Sequence, residues 1–226
     1  MRHILVIGAG RSASSLIKYL LENSEKEILH VTIGDLSEEL AKQKTNNHKN
    51  STAICFDIFN EAQRKAEIQK ADIVVSMLPA HLHLEVAKDC ITYKKHMVTA
   101  SYISPAMQEL DAAAKENGLV FMNEIGLDPG IDHMSAMKVL DEIREKGGNI
   151  ILFESFCGGL VAPESDTNLW NYKFTWNPRN VVLAGQGGAA KFIQEGNYKY
   201  IPYSKLFRRT EFLEVKDYGR FEAYAN

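Results

Sequence analysis

Short apolar runs recur along the first half of the chain, at Ile4–Ile7, Ile28–Ile33, Ala53–Phe56, Ile73–Leu78, Met97–Ala100 and Leu119–Met122. Their length and Val/Ile content predict strands. Polar stretches between them carry apolar residues at helical spacing. Ala13, Leu16, Ile17, Leu20 and Leu21 fall at i, i+3, i+4, i+7 and i+8, a single stripe along one helix face. Fainter versions lie at Glu61–Ile68, His83–Cys90 and Met107–Lys115. Strands that are apolar on both sides, separated by helices, predict a parallel sheet covered on both faces. Right-handed crossovers make such a sheet a doubly wound α/β domain of Rossmann type.

The texture changes after about Glu124. Gly126-Leu127-Asp128-Pro129-Gly130 is turn chemistry, a helix is expected from about Ile131 to Glu145, and a strand at Ile150–Phe156. A Gly-, Asn- and aromatic-rich stretch follows that holds both tryptophans, Trp170 and Trp176. The tail from Tyr198 to Asn226 is aromatic and charged and stops without a terminal helix or an obvious cap. The expected division is one domain over 1–124 and part of a second, α+β in character, over 125–226.

Composition narrows the class. With 26 Lys+Arg against 29 Asp+Glu, a formal charge of −3 carries no basic field, which argues against nucleic acid or an anionic membrane as partner. Cys55, Cys90 and Cys157 are odd in number, far apart and fit no zinc spacing, so a reducing compartment is expected. No apolar run approaches the roughly 18 residues of a membrane span. A soluble, cytoplasmic protein is the expectation.

Gly8-Ala9-Gly10-Arg11-Ser12-Ala13 fits G-x-G-x-x-A, and it follows a strand and opens the striped helix. That context is what a dinucleotide-binding loop requires. Gly8 permits the tight turn, Gly10 lets the backbone approach a pyrophosphate, and Ala13 allows close helix–strand packing. Free amides and the helix dipole then face the phosphates, with Arg11 and Ser12 among the cofactor-contact candidates. Asp35, just past the second strand, suits the acid that accepts ribose hydroxyls; a carboxylate there repels a 2′-phosphate and favours NAD over NADP. A loop Asp capping the next helix is the plainer alternative, with Ser37 competing for that job. Asp57, after the third strand, either borders the adenine or caps a helix. Leu78 and Pro79 close the fourth strand at the carboxyl edge, where ligands bind in such sheets, although Pro79 serves equally well as a simple strand stop.

Three further segments fall at expected strand ends on that edge: Thr99-Ala100-Ser101-Tyr102, Glu124 to Gly130, and Phe156-Cys157-Gly158-Gly159. Polar groups converging there are the default active-site hypothesis. Asp128 before Pro129 also makes a good helix N-cap with Pro at the first position, and on physics alone capping is the stronger reading. A buried structural role is the commoner one for Cys157, and packing for Tyr102. His81-x-His83 with Glu85 offers no fourth ligand, so solvated residues at a helix start are expected and no metal site. No Tyr-x-x-x-Lys pair supports a short-chain dehydrogenase.

Four strings taken together resemble the glutamate-forming saccharopine dehydrogenases: Val98-Thr99-Ala100-Ser101-Tyr102-Ile103-Ser104-Pro105-Ala106; Asn123-Glu124-Ile125-Gly126-Leu127-Asp128-Pro129-Gly130-Ile131-Asp132-His133; Cys157-Gly158-Gly159-Leu160-x-Ala162-Pro163-Glu164; and Tyr172-Lys173-Phe174-x-Trp176. The resemblance implies a Rossmann domain over 1–124 and a substrate domain, incomplete here because members of that family are longer. It implies NAD- or NADP-dependent oxidation of saccharopine to glutamate and 2-aminoadipate semialdehyde. It places cofactor contacts at Gly8, Gly10, Ser12, Ala13, Asp35, Pro79, Ser101, Leu127 and Asp128; Arg11, Asp57, Leu78 and Pro129 are further candidates by their position along the same loops and strand ends. Substrate contacts fall at Ser101, Tyr102 and Asp128, and acid–base candidates are Tyr102, Asp128 and Cys157. The partner is a small molecule, saccharopine or glutamate plus the semialdehyde, with a homodimer left open. Arg179, Arg208, Arg209 and Arg220 are candidates for its carboxylates. An imine-reducing dehydrogenase of polyamine synthesis and a non-catalytic nucleotide-binding module are the competing readings.

Overall fold

The structure is a computed structural model that describes residues 1–175, 178–184 and 188–225; Trp176 and Asn226 lie outside them. It divides into two compact units, Met1–Ser155 and Phe156–Asn226.

The first unit is built on six parallel strands, β1 (Arg2–Ile7), β2 (Leu29–Asp35), β3 (Ser51–Cys55), β4 (Ile73–Ser76), β5 (His96–Thr99) and β6 (Phe121–Met122). They run in the order β3-β2-β1-β4-β5-β6, which is the doubly wound dinucleotide-binding order. β1 is the centre: Ile4 to Ile7 pair with Val31 to Gly34 on one side and with Ile73 to Ser76 on the other. Its residues alternate between two cores. Leu5 and Ile7 join Val74, Met97, Ile68, Val86 and Cys90 on one face, while Ile4 and Val6 join Ile17, Leu21, Val31, Ile33 and Ala41 on the other. Burial on both faces is why the strands read as unbroken apolar runs.

The connecting helices are α1 (Ser14–Glu22), α2 (Glu38–Thr45), α3 (Glu61–Lys70), α4 (His83–Thr92), α5 (Pro105–Gln108) and α6 (Asp111–Glu116). The stripe Ala13–Leu21 is α1 and its lead-in turn. The expected helix around Met107–Lys115 is two short ones broken at Glu109-Leu110. α2 announces itself weakly because it buries only Ala41 and Thr45.

Past β6, α7 spans Ile131–Glu145, as the periodicity predicts, but none of its residues is buried. Ile150–Phe156, expected to be a strand, is irregular. A strand exists only where a neighbour closes its ladder; among the described residues none does, and Ile151 is 98% exposed. In the second unit, α8 (Pro178–Ala184) precedes two antiparallel hairpins, β7 (Ala190–Gln194) with β8 (Asn197–Ile201) and β9 (Thr210–Val215) with β10 (Gly219–Tyr224). The first turns at Glu195-Gly196, both at positive φ (54° and 74°), the two-residue form that matches strand twist. No helix among the described residues is long and apolar enough to cross a membrane.

One buried ion pair ties α3 to α4. Arg64 Nε donates to Asp89 Oδ2 at 2.6 Å, and Arg64 Nη1 donates to the Ile58 carbonyl at 2.7 Å, which also fixes the loop after β3. Replacing Asp89 by Ala leaves a guanidinium buried without its counter-charge and is expected to cost about 3–5 kcal/mol in urea unfolding. Replacing both partners together, Arg64→Met with Asp89→Leu, is expected to cost much less; equal losses from the two variants would show that the charge is not the cause.

Candidate active site

β1 ends at a turn that only glycine fits. Gly8 has φ 106°, and a Cβ on it would meet the Met77 carbonyl oxygen at 2.9 Å, so the turn after β1 lies tight against the end of β4. Gly10 is different: its φ of −64° suits any residue, and a Cβ there would meet nothing within 4 Å. Among the described residues nothing requires a glycine at that point, and the space above it is open to a ligand. Arg11 and Ser12 are exposed beside it, while Ala13 is buried against the sheet. A short 3₁₀ turn at Arg11–Ala13 leads into α1. The loop has the open cradle and helix start that a pyrophosphate needs.

Asp35 closes the end of β2 onto this loop. Its Oδ2 accepts from the Ala9 amide at 2.8 Å and its Oδ1 from the Ser37 amide at 3.0 Å. The helix-capping alternative for Asp35 falls to Ser37, whose hydroxyl accepts from the Leu40 amide at 3.2 Å. Asp57 does not cap α3 either. Its Oδ1 accepts from the Phe59 amide at 2.9 Å, and Asn60 caps the helix by accepting from Gln63 at 3.1 Å. Leu78 is half-buried, and Pro79 is exposed at the start of the turn into α4.

Beyond β5 and β6 the chain is stitched into one edge. The amides of Glu124 and Ile125 donate to the carbonyls of Ser101 (3.0 Å) and Thr99 (3.3 Å), and Glu124 Oε1 accepts from the Ile103 amide at 3.0 Å. Gly130, at φ 144°, crosses so close to Gly126 that a Cβ would lie 2.2 Å from its carbonyl oxygen. This places Asp128 on a tight loop beside Tyr102, whose hydroxyl donates to Asp128 Oδ1 at 3.2 Å. The capping reading of Asp128 is overturned. α7 starts at Ile131 with Gly130 as its N-cap, and Asp132 Oδ1 accepts from the Gly130 amide at 2.9 Å. Pro129 is buried, whereas Leu127 and Asp128 are exposed. Cys157 is exposed and belongs to the second unit.

Acids dominate this loop. Tyr102 has its pKa raised, by local desolvation first and then by the charge and hydrogen bond of Asp128, so it is a neutral phenol at ordinary pH. His133 is raised by its hydrogen bond to Asp132 Oδ1 (2.7 Å) and that carboxylate's charge, with Asp128 and Glu124 adding to it.

His83 departs from expectation: it is buried at 4% exposure instead of solvated. Its Nδ1 meets Ser76 Oγ at 2.8 Å, and its Nε2 meets Ser101 Oγ at 2.8 Å and Thr99 Oγ1 at 3.2 Å. The signal was present in the chain, since His83, Val86, Ala87 and Cys90 sit at i, i+3, i+4 and i+7 on the buried face of α4.

Comparison with known proteins gives a consistent family. Residues 4–122 match the profile of the saccharopine dehydrogenase NADP binding domain, and residues 126–226 that of the saccharopine dehydrogenase C-terminal domain. The chain is 40% identical over 225 residues to saccharopine dehydrogenase [NADP(+), L-glutamate-forming] of Pyricularia oryzae, covering 100% of this chain and 49% of that one. It is 34% identical over 221 residues to alpha-aminoadipic semialdehyde synthase of Arabidopsis thaliana, covering 90% of this chain and 21% of that one. The solved apo saccharopine dehydrogenase (L-Glu forming) of Saccharomyces cerevisiae superposes with a TM-score of 0.85 at 34% identity, over 100% of this chain and 50% of that one. The chain thus spans about half the length of the saccharopine dehydrogenases it matches.

Burial, and after it the charge of His81, push the pKa of His83 down to about 4 from 6.5. The folded state therefore keeps this ring neutral while the unfolded state protonates it. Stability is complete above pH 6.5 and is lost as pH falls toward 4, by up to about 1.4 kcal/mol per pH unit from this residue. Urea midpoints measured from about pH 7 to 5 are expected to fall in wild type and to fall less in His83→Gln. Parallel slopes would show that His83 does not titrate as its burial demands.

Proposed function

The chain belongs to the saccharopine dehydrogenase family, and from that membership we propose that it binds NADP and oxidises saccharopine to glutamate and 2-aminoadipate semialdehyde. The observation that carries this reading is the Tyr102–Asp128 pair, set at the carboxyl edge of the sheet with Glu124 on the same loop as Asp128 and Asp132 in the first turn of α7. Gly8, Gly10, Arg11, Ser12, Ala13 and Asp35 hold the adenine half and the pyrophosphate. Leu78, Pro79, Ser101, Leu127 and Pro129 border the nicotinamide half, and Asp57 the adenine. When bound, the cofactor accepts a hydride from the carbon beside the substrate's secondary amine.

The loop's own groups supply the rest. Loss of hydride leaves an iminium, and carboxylates fixed at Asp128 and Glu124 stabilise the developing positive charge. Water adds to the imine carbon while the Tyr102–Asp128 pair takes its proton. The carbinolamine then expels glutamate's nitrogen, which is protonated by the same pair, and the aldehyde is left. Water, saccharopine and oxidised cofactor thus give glutamate, semialdehyde, reduced cofactor and one proton. Ser101 and Tyr102 orient the substrate. Cys157 enters this scheme by family resemblance alone. The relatives' names favour saccharopine over a polyamine precursor.

The same names favour NADP, whereas Asp35 favours NAD by charge. The two are compatible because both Asp35 oxygens already accept backbone amides, at Ala9 and Ser37, so its charge is partly neutralised at the loop. Fluorescence titration is expected to give tighter binding of NADPH than NADH; the reverse would return Asp35 to its NAD-selecting role.

Gly10 separates binding from folding. Ala is compatible with its backbone, so Gly10→Ala is expected to leave stability unchanged or to raise it by about 0.4–1 kcal/mol. Its methyl would occupy the cradle and weaken NADPH by about tenfold or more. Undiminished affinity would overturn the loop assignment. Saccharopine-dependent formation of NADPH is expected to fall by about 10²-fold or more in Asp128→Asn. Nucleotide binding without any turnover by the wild-type chain would leave the cofactor site standing and remove the catalytic part of this reading.

A further inference from the structure

His83 stands beneath the crevice edge, on the first turn of α4, where it joins the ends of β4 and β5. Three hydroxyls meet its ring: Ser76 at Nδ1 (2.8 Å), and Ser101 (2.8 Å) and Thr99 (3.2 Å) at Nε2. Ser76 is fully buried and Thr99 is 2% exposed, while Ser101 is half-buried and reaches the crevice. Of the three hydroxyls, only that of Ser101 can touch a ligand.

Burial keeps the imidazole neutral at ordinary pH. A neutral ring has one N–H and one lone pair, so the two nitrogens play opposite parts. A lone pair at Nε2 would have to accept from two hydroxyls at once, and Ser76 Oγ would accept from Nδ1–H, leaving its own buried proton without another acceptor among the described contacts. An N–H at Nε2 instead serves both oxygens as a shared donor, with Ser101 the nearer, and the Nδ1 lone pair accepts from Ser76. The second arrangement uses every contact.

We propose that His83 is a positioning residue that carries its proton on Nε2 and donates it to Ser101, so that the Ser101 hydroxyl proton is turned outward to an acceptor oxygen on the nicotinamide half of the cofactor. The inference rests on the dinucleotide reading above. In a sheet of this order the second mononucleotide lies over the β4–β5 side of the switch point, which is where Ser101 stands. Direction is the content of the claim: with the opposite tautomer Ser101 would spend its proton inward and offer only lone pairs.

The test has two readouts on the 226-residue chain. Long-range proton–nitrogen NMR of histidine-labelled protein, with His83 assigned by its loss in His83→Gln, is expected to show the neutral Nε2–H tautomer at pH 7, shifting to a mixture in Ser76→Ala, which removes the donor to Nδ1. Titration then compares NADPH with 2′-phospho-ADP-ribose, which lacks the nicotinamide. His83→Leu is expected to weaken NADPH about tenfold and leave 2′-phospho-ADP-ribose within about twofold. His83→Gln, which retains an amide donor, is expected to recover much of the loss. Equal losses for both ligands would make His83 merely structural, and an Nδ1–H or charged ring in wild type would overturn the inference alone. Binding of neither ligand by wild type would defeat the dinucleotide reading and this inference with it. If His83→Leu does not fold, the wild-type and Ser76→Ala tautomers still decide.

Discussion

The ladder on both sides of β1 is the constraint from which the rest of the site follows. β2 and β4 pair with the same residues of β1, Ile4 to Ile7, so three strand ends finish level at one edge. Chain connections leave β1 toward β2 on one side and arrive at β4 on the other, and the parting of those connections opens the crevice. Level ends also mean that the turn after β1 must pass hard against Met77. Gly8 is there because the neighbouring backbone allows no side chain at its positive φ. The glycine proposed to face the ligand, Gly10, comes two residues later, where a Cβ would meet nothing within 4 Å.

Two kinds of connection hold the edge together, and they differ in how much they leave free. On the β2 side, Asp35 clasps the loop through the Ala9 amide, a charge-assisted bond that sets the loop before any ligand arrives. On the β5–β6 side, backbone bonds from Glu124 and Ile125 to Ser101 and Thr99 set the main chain, while Tyr102 and Asp128 keep exposed side chains that touch each other. The β2 side is therefore clasped by the Asp35 side chain, and the β5–β6 side by main-chain bonds together with the Glu124 carboxylate, which accepts from the Ile103 amide. In the proposed function, this arrangement leaves the side chains of Tyr102 and Asp128 available for chemistry.

The strands were legible because burial on both faces writes them as continuous apolar runs, and α1 because its stripe is complete from Ala13 to Leu21. α2 was faint because two buried residues make almost no periodicity. Ile150–Phe156 has strand composition, but composition does not supply a pairing partner, and the segment is exposed. The placement of the glycine loop, Asp35, Tyr102 and Asp128 past strand ends on one edge was readable from the order of strands and turns. The capping role given to Asp128 was not realised because Gly130, which crosses over Gly126, takes the N-cap position of the helix that starts at Ile131. His83 was misread as solvated because a histidine at a helix start is usually outside, though its spacing with Val86, Ala87 and Cys90 puts it inside.

Asp35 shows why one acid at the end of β2 does not by itself choose between the two nicotinamide dinucleotides. The rule that it excludes a 2′-phosphate assumes a carboxylate with its charge turned toward the ribose. Here one oxygen faces the Ala9 amide and the other the Ser37 amide, each within 3.0 Å. Backbone donors of this kind spread the negative charge into the loop and weaken the repulsion of a nearby phosphate, while the remaining lone pairs can still meet a hydroxyl. The carboxylate's first task is to shape the glycine loop, a task common to both cofactors, so its presence follows from the turn as much as from the ligand. Selectivity must then come from the balance of donors around the ribose, of which the exposed hydroxyl of Ser37 is nearest in sequence to Asp35.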